Sequence, residues 1–186
     1  HSAIELLMAA GASITEVRVP DVDVILERAA AAAMVEAAVS HARTYPSERT
    51  RYSAVYSALL DVGHATTARD YAAVSIWRRE FRGQLSRLFS SVDMLVAPVT
   101  SASPAPVELL KGFESAPPLA SAPFMRFTIP FNLAGVPSLT LPMGRSSEGA
   151  PLGFQLIGPE LGEAALLSAG AAYEAASGFS LLHPDL

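Results

Sequence analysis

Residues 127–144 read FTIPFNLAGVPSLTLPMG, a run with no charged residue and with prolines at 130, 137 and 142. Proline locks φ and has no N–H to donate, so neither a continuous helix nor a central strand can pass through such a run. Its apolar side chains must still leave water. The run is therefore expected to follow a fixed, irregular path beside a core. Asn132 reads as the cap of a single turn at Leu133–Gly135, after which Val136 and Pro137 deliver the chain into a strand.

That strand has a partner. Leu139, Leu141 and Met143 alternate in SLTLPMG, and Leu152, Phe154 and Leu156 alternate in LGFQLIG. The intervening RSSEGAP suits an antiparallel turn. EAALLSAGAAYEAAS follows as a helix that stops at Gly178. Earlier, Ile4, Leu7 and Met8 have helical spacing up to Gly11. SITEVRV suits a short strand, closed by Pro20, and Asp21 or Asp23 can cap the alanine-rich helix VILERAAAAAMVEAAVSHAR. A helix over about 53–62 comes next. Thr67 and Asp70 form a capping-box pattern before a helix whose Val74, Trp77, Phe81, Leu85 and Leu88 make one apolar stripe. DMLVAPV reads as a strand ended by Pro98. Residues 98–124, rich in proline, alanine and serine, read as a long excursion over the surface or over a pocket. The order of elements implies an α/β fold.

Hydrophobic residues make up 51 % of the 186, and mean hydropathy is +0.32. The apolar run Ala29–Val35 is far shorter than the roughly 20 residues that cross a bilayer, so no membrane partner is expected. The net charge of -5 gives nucleic acid no electrostatic footing. Absence of cysteine excludes disulfides and thiolate chemistry. His1, His41, His64 and His183 lack metal-binding spacing, and no metal or cofactor is implied. No secretion signal is read, so a cytoplasmic protein is expected. The opening HSAIELLMAAGA resembles the middle of a helix, so the chain is expected to begin partway into a protein.

The run at 127–144, with GAPLGFQLIGPELGEAALLSAGAAYEAASGF after it, closely resembles the C-terminal end of amidase-signature hydrolases. The likeness is strongest over Phe124–Phe179, and SSVDMLVAPVTSASPAPV (90–107) resembles the same family's strand and proline-rich loop. The resemblance implies part of a mixed central β-sheet flanked by helices. It also implies hydrolysis of a small-molecule carboxamide by a Ser–cis-Ser–Lys triad, with acyl transfer to serine and backbone N–H groups holding the oxyanion. This chain has no glycine- and serine-rich signature. Its serine pairs are Ser90–Ser91 and Ser146–Ser147, and its one lysine is Lys111 in the excursion. No catalytic residue is carried over. Residues 1–186 are expected to be the C-terminal portion of a single amidase domain whose catalytic N-terminal half lies upstream, supplying sheet and pocket wall. The alternative is a non-catalytic chain of the same fold acting with a separate subunit. The apolar surface left uncovered would favour self-association, a homo-oligomer included.

The resemblance implies that Phe124, Phe127 and Thr128 face the acyl pocket, against the simpler reading that they pack. Trp77 is read as core, Gln155 as satisfying buried backbone, His64 as solvated or capping in a helix-terminal loop, and Arg78, Arg79 and Arg82 as a solvated face. The apolar Phe124, Met125 and Phe127, with no nearby acid, imply aliphatic or aryl amides as substrates and not glutamine.

Overall fold

Leu156 and Ile157 are neighbours in one strand, and both are buried, at 1 % and 0 % exposure. They belong to different cores. Successive strand residues point to opposite faces, so this strand divides the protein into layers. The structure, a computed structural model, describes residues 3–19, 22–102, 104 and 122–179.

The strand is β3 (Pro151–Ile157), the centre of an antiparallel sheet in the order β1-β3-β2, with β1 at Leu95–Pro98 and β2 at Ser138–Arg145. Leu95 pairs with Ile157, and Leu139 with Leu156. One face carries α1 (Ala3–Ala9) and α6 (Glu163–Ser177). There Leu7, Leu141, Phe154, Leu156, Leu166 and Tyr173 close a core. The other face carries α2 (Val22–Ser40), α4 (Ala68–Leu88) and α5 (Ile129–Ala134), with Ile25, Phe81, Leu85, Leu95, Phe131 and Ile157 at its centre. The last helix, α3 (Ala54–Ala65), packs on α2.

Local chemistry explains most boundaries. Ser53 Oγ accepts from the Tyr56 N–H to start α3. Thr67 Oγ1 accepts from the Asp70 N–H, the N-cap half of the predicted capping box of α4, and donates to the Asp70 carboxylate. Val74, Phe81 and Leu85 are buried along the predicted stripe. Trp77 packs beside them, stacked on Phe81 at 5.6 Å with the Arg28 guanidinium 5.4 Å from its ring centre. Gly178 takes a left-handed φ of 67° and stops α6.

Three expectations are corrected. Residues 12–19 form no strand. Val17 and Val19 lie against the α2–α4 core while Ile14 is exposed, so their spacing serves packing and no ladder. The single turn expected at Leu133–Gly135 is the end of α5. Pro130 sits in its first turn, where an N–H has no helical partner to lose, and Gly135 closes it at φ 72°. Asn132 is therefore inside the helix, and Thr128 holds the N-cap position. Finally, the register of β2 shifts between Pro142 and Gly144, so Met143 leaves the alternation begun by Leu139 and Leu141 and is exposed. Tyr173 Oη donates to the Pro142 carbonyl at 2.8 Å beside this bulge. Pro20 and Asp21 lie outside the described residues, as do 105–121 of the proline-rich excursion, while Asp23 is already within α2.

Close helix contact explains one glycine. A Cβ at Gly63 would stand 2.1 Å from the Met34 carbonyl oxygen on α2, a backbone atom that cannot step aside. A Cβ at Gly170 would meet the movable Leu139 Cδ2 at 2.5 Å. Gly63→Ala is expected to destabilise the fold by about 1–3 kcal/mol, and Gly170→Ala by less. Urea unfolding of the two variants checks the order.

Candidate functional site

Gln155 has neighbours on β3 that bury apolar chains, and it is itself 3 % exposed. A buried carboxamide must find partners. Its Nε2 donates to the Pro98 carbonyl at 3.0 Å and to the Phe127 carbonyl at 2.5 Å. Pro98 ends β1, and Phe127 begins the uncharged run. One side chain thus ties Pro98 and Phe127 to the sheet, in keeping with the sequence reading of a residue that satisfies backbone groups.

The turn held in this way carries the three residues implicated by resemblance. Phe124 is half-buried in the 3-10 turn Ala122–Met125. Phe127 is half-buried, with the Arg126 guanidinium 5.8 Å from its ring centre. Thr128 Oγ1 donates to the Met125 carbonyl at 3.2 Å and makes no cap bond to α5.

Beside this turn opens a cleft of about 530 Å³ between α2, α3, α4 and α5. Met125 and Ile129 bring the turn into its wall, opposite Met34 and Leu59. Phe124, Phe127 and Thr128 stand on the same turn but are not among the lining residues. The floor is the alanine-rich face of α2, with Ala29, Ala30, Ala33 and Ala37. Sequence reasoning took these alanines as helix formers only. The missed signal is that a side chain ending at Cβ leaves room where a neighbouring helix passes.

Four polar groups reach the cleft: Glu36, Tyr56, Arg78 and Asn132. Arg78 is no solvated ornament, as its cluster was expected to be. Its Nε donates to the Leu133 carbonyl at 2.6 Å, at the end of α5 where orphan carbonyls need donors, and its Nη1 lies 3.6 Å from Glu36. Tyr71 Oη donates to the same carboxylate at 3.2 Å. Arg82 pairs with Glu160 at 3.1 Å, while Arg79 is exposed. The cleft can therefore hold an apolar chain along the alanines with a polar group at the rim.

Behind Tyr56 the wall is aromatic. His41 meets Tyr52 and Tyr56 edge-on at 5.5 and 5.4 Å. Tyr45, 2 % exposed, donates from Oη to Asp61 at 2.5 Å, and Arg49 binds both oxygens of that carboxylate at 3.0 and 2.8 Å. His64 lies within the last turn of α3, not in a loop after it, and stacks on Tyr45 at 5.9 Å while remaining exposed. Neither serine pair forms a nucleophile arrangement. Ser90 and Ser91 donate to carbonyls at the end of α4, and Ser146 accepts from two N–H groups of the hairpin turn. Lys111 lies outside the described residues. Among the described residues no three His, Asp or Glu side chains gather as a metal site, and no helix is long and apolar enough to cross a membrane.

The Arg49 hydrogen bonds, with a second contribution from Tyr45, lower the Asp61 carboxyl from 3.8 to about 2. A carboxyl depressed in the folded state contributes stability that is complete above its unfolded value and is lost as pH falls through the folded one. The expected loss therefore runs from about pH 4 down to about pH 2. Asp61→Asn should flatten this part of the acid-unfolding profile followed by circular dichroism.

Comparison with known proteins follows the same outline. The amidase family model matches residues 1–167. The chain is 36 % identical over 152 residues to the putative amidase AmiD of Mycobacterium tuberculosis, covering 82 % of this chain and 32 % of that protein. It is 38 % identical over 120 residues to a fatty acid amide hydrolase of Medicago truncatula, covering 63 % and 20 %. The fold is that of 6-aminohexanoate cyclic dimer hydrolase in complex with substrate, at a TM-score of 0.85 and 24 % identity, over 98 % of this chain and 41 % of that one. A crystal structure of an amidase matches at a TM-score of 0.75 and 29 % identity, over 92 % and 39 %. The chain spans about a third of the length of its first curated relatives. On the family model over residues 1–167 and the 36 % identity across 82 % of its length, the chain belongs to the amidase family.

Proposed function

We propose that residues 1–186 form part of a single amidase domain and supply sheet and acyl-pocket wall to a serine-dependent hydrolase of apolar carboxamides. The observation that carries this reading is the cleft, lined mostly by alanine, leucine, isoleucine and methionine, with Arg78 and Glu36 3.6 Å apart among its few polar groups. A pocket of that kind holds an acyl chain and orients one polar end. Phe124, Phe127 and Thr128 stand on the turn that forms its wall, and in this proposal they face the acyl group.

The chemistry is acyl transfer. A serine oxygen attacks the amide carbon and loses its proton through the middle serine to lysine. The C–N bond breaks as the nitrogen takes up a proton and leaves as ammonia or amine. Water then releases the carboxylate. None of these groups is assigned to this chain, which carries no glycine- and serine-rich signature. They are proposed to come from a further portion of the protein or from a partner subunit. The present residues do the other half of the work. They exclude water from the acyl chain and hold the amide in one orientation, so that binding energy is used for positioning.

The test uses hexanamide and glutamine. The 186-residue chain should release no ammonia from either. The longer protein that contains it should hydrolyse hexanamide with a kcat/KM about a hundredfold above that for glutamine, since an apolar wall leaves the polar ends of glutamine unpaired. Preference for glutamine overturns the substrate assignment. Turnover by the 186 residues alone, abolished by Lys111→Ala, overturns the assignment of the reaction centre elsewhere.

A further inference from the structure

Tyr56 lines the cleft, and its hydroxyl is the outer end of a hydrogen-bonded chain. Tyr56 Oη lies 3.1 Å from His41 Nε2, and His41 Nδ1 lies 3.0 Å from Tyr52 Oη. Tyr52 Oη lies 2.5 Å from Thr44 Oγ1, and Thr44 Oγ1 donates to the His41 carbonyl at 3.3 Å. Only one direction satisfies all four contacts. Thr44 spends its proton on the carbonyl, so it accepts from Tyr52. The Tyr52 oxygen then accepts from Nδ1–H. A neutral imidazole carries one N–H, so Nε2 is bare and takes the Tyr56 proton. The Tyr56 oxygen is left with lone pairs and no proton for the cleft.

We propose that His41 is a positioning residue that holds the Tyr56 hydroxyl as a hydrogen-bond acceptor in the cleft, so that the cleft selects ligands that bring an N–H, amides over the matching esters. This rests on the reading of the cleft as the seat of an apolar amide. A hydrogen bond of this kind separates ligands that differ only in the donor by a modest factor, because water competes for both.

The experiment measures binding of N-methylhexanamide and of methyl hexanoate to the 186-residue chain by the NMR shift of the Met34 methyl group. The amide should bind roughly fivefold more tightly than the ester. Tyr56→Phe should give a ratio near one, and His41→Phe, which leaves the Tyr56 proton free to turn to the cleft, should lower the ratio. A wild-type ratio near one, or an undiminished ratio in His41→Phe, with both ligands bound, overturns the role of His41 and leaves the cleft reading standing. Binding of neither ligand overturns both. The wild-type comparison needs no variant to fold.

Discussion

The side-chain amide of Gln155 is the point on which the arrangement of this chain depends. Its two N–H groups leave a buried strand and end on carbonyls far apart in sequence, at Pro98 and Phe127. Without those carbonyls the buried carboxamide would have nothing to donate to, and a lost partner of this sort costs about 1–3 kcal/mol. With both bonds made, Pro98 at the end of β1 and Phe127 in the turn before α5 are held to one place on the sheet. Met125 and Ile129, beside Phe127, stand in the wall of the cleft. A sheet residue thereby decides the position of groups that touch the cleft.

Much of the layering was legible in the sequence. Alternation in the hairpin, the apolar stripe of α4, the Thr67–Asp70 box and the Gly178 stop are short-range signals, each settled by a few neighbouring residues. The failures have a common physical source. Val17 and Val19 have strand-like spacing, but whether a ladder forms depends on a partner edge, and these side chains found a helical core instead. Pro130 argued against a helix, yet in a first turn the missing N–H goes unnoticed. Met143 lost its place to a bulge that only the pairing with β3 reveals.

The site was legible to a smaller degree, because it is assembled from contacts distant in sequence. The turn at 122–129 was located by its likeness to a family, and the structure puts Met125 and Ile129 of that turn on the cleft. Arg78 belonged to a run of arginines that reads as surface. It became structural only because the end of α5, 55 positions away, presents a carbonyl to it. Likewise His41, Tyr52 and Tyr56 look unrelated along the chain until the packing of α3 on α2 sets their hydroxyls against one imidazole.

The alanine floor of the cleft has an implication for evolution. Helix rise is about 1.5 Å per residue, so Leu26 to Ala37 extends for roughly 16 Å along one wall. The alanines on that wall, at 29, 30, 32, 33 and 37, each end at a methyl group and can be enlarged by a single codon change to valine with no new polar atom to satisfy. Under the proposed function, in which the cleft takes the acyl chain, the helix acts as a graduated gauge. Blocking it near one end or the other would trim the longest chain admitted by a few carbons, while the hydroxyl, the arginine and the carboxylate at the rim stay where they are.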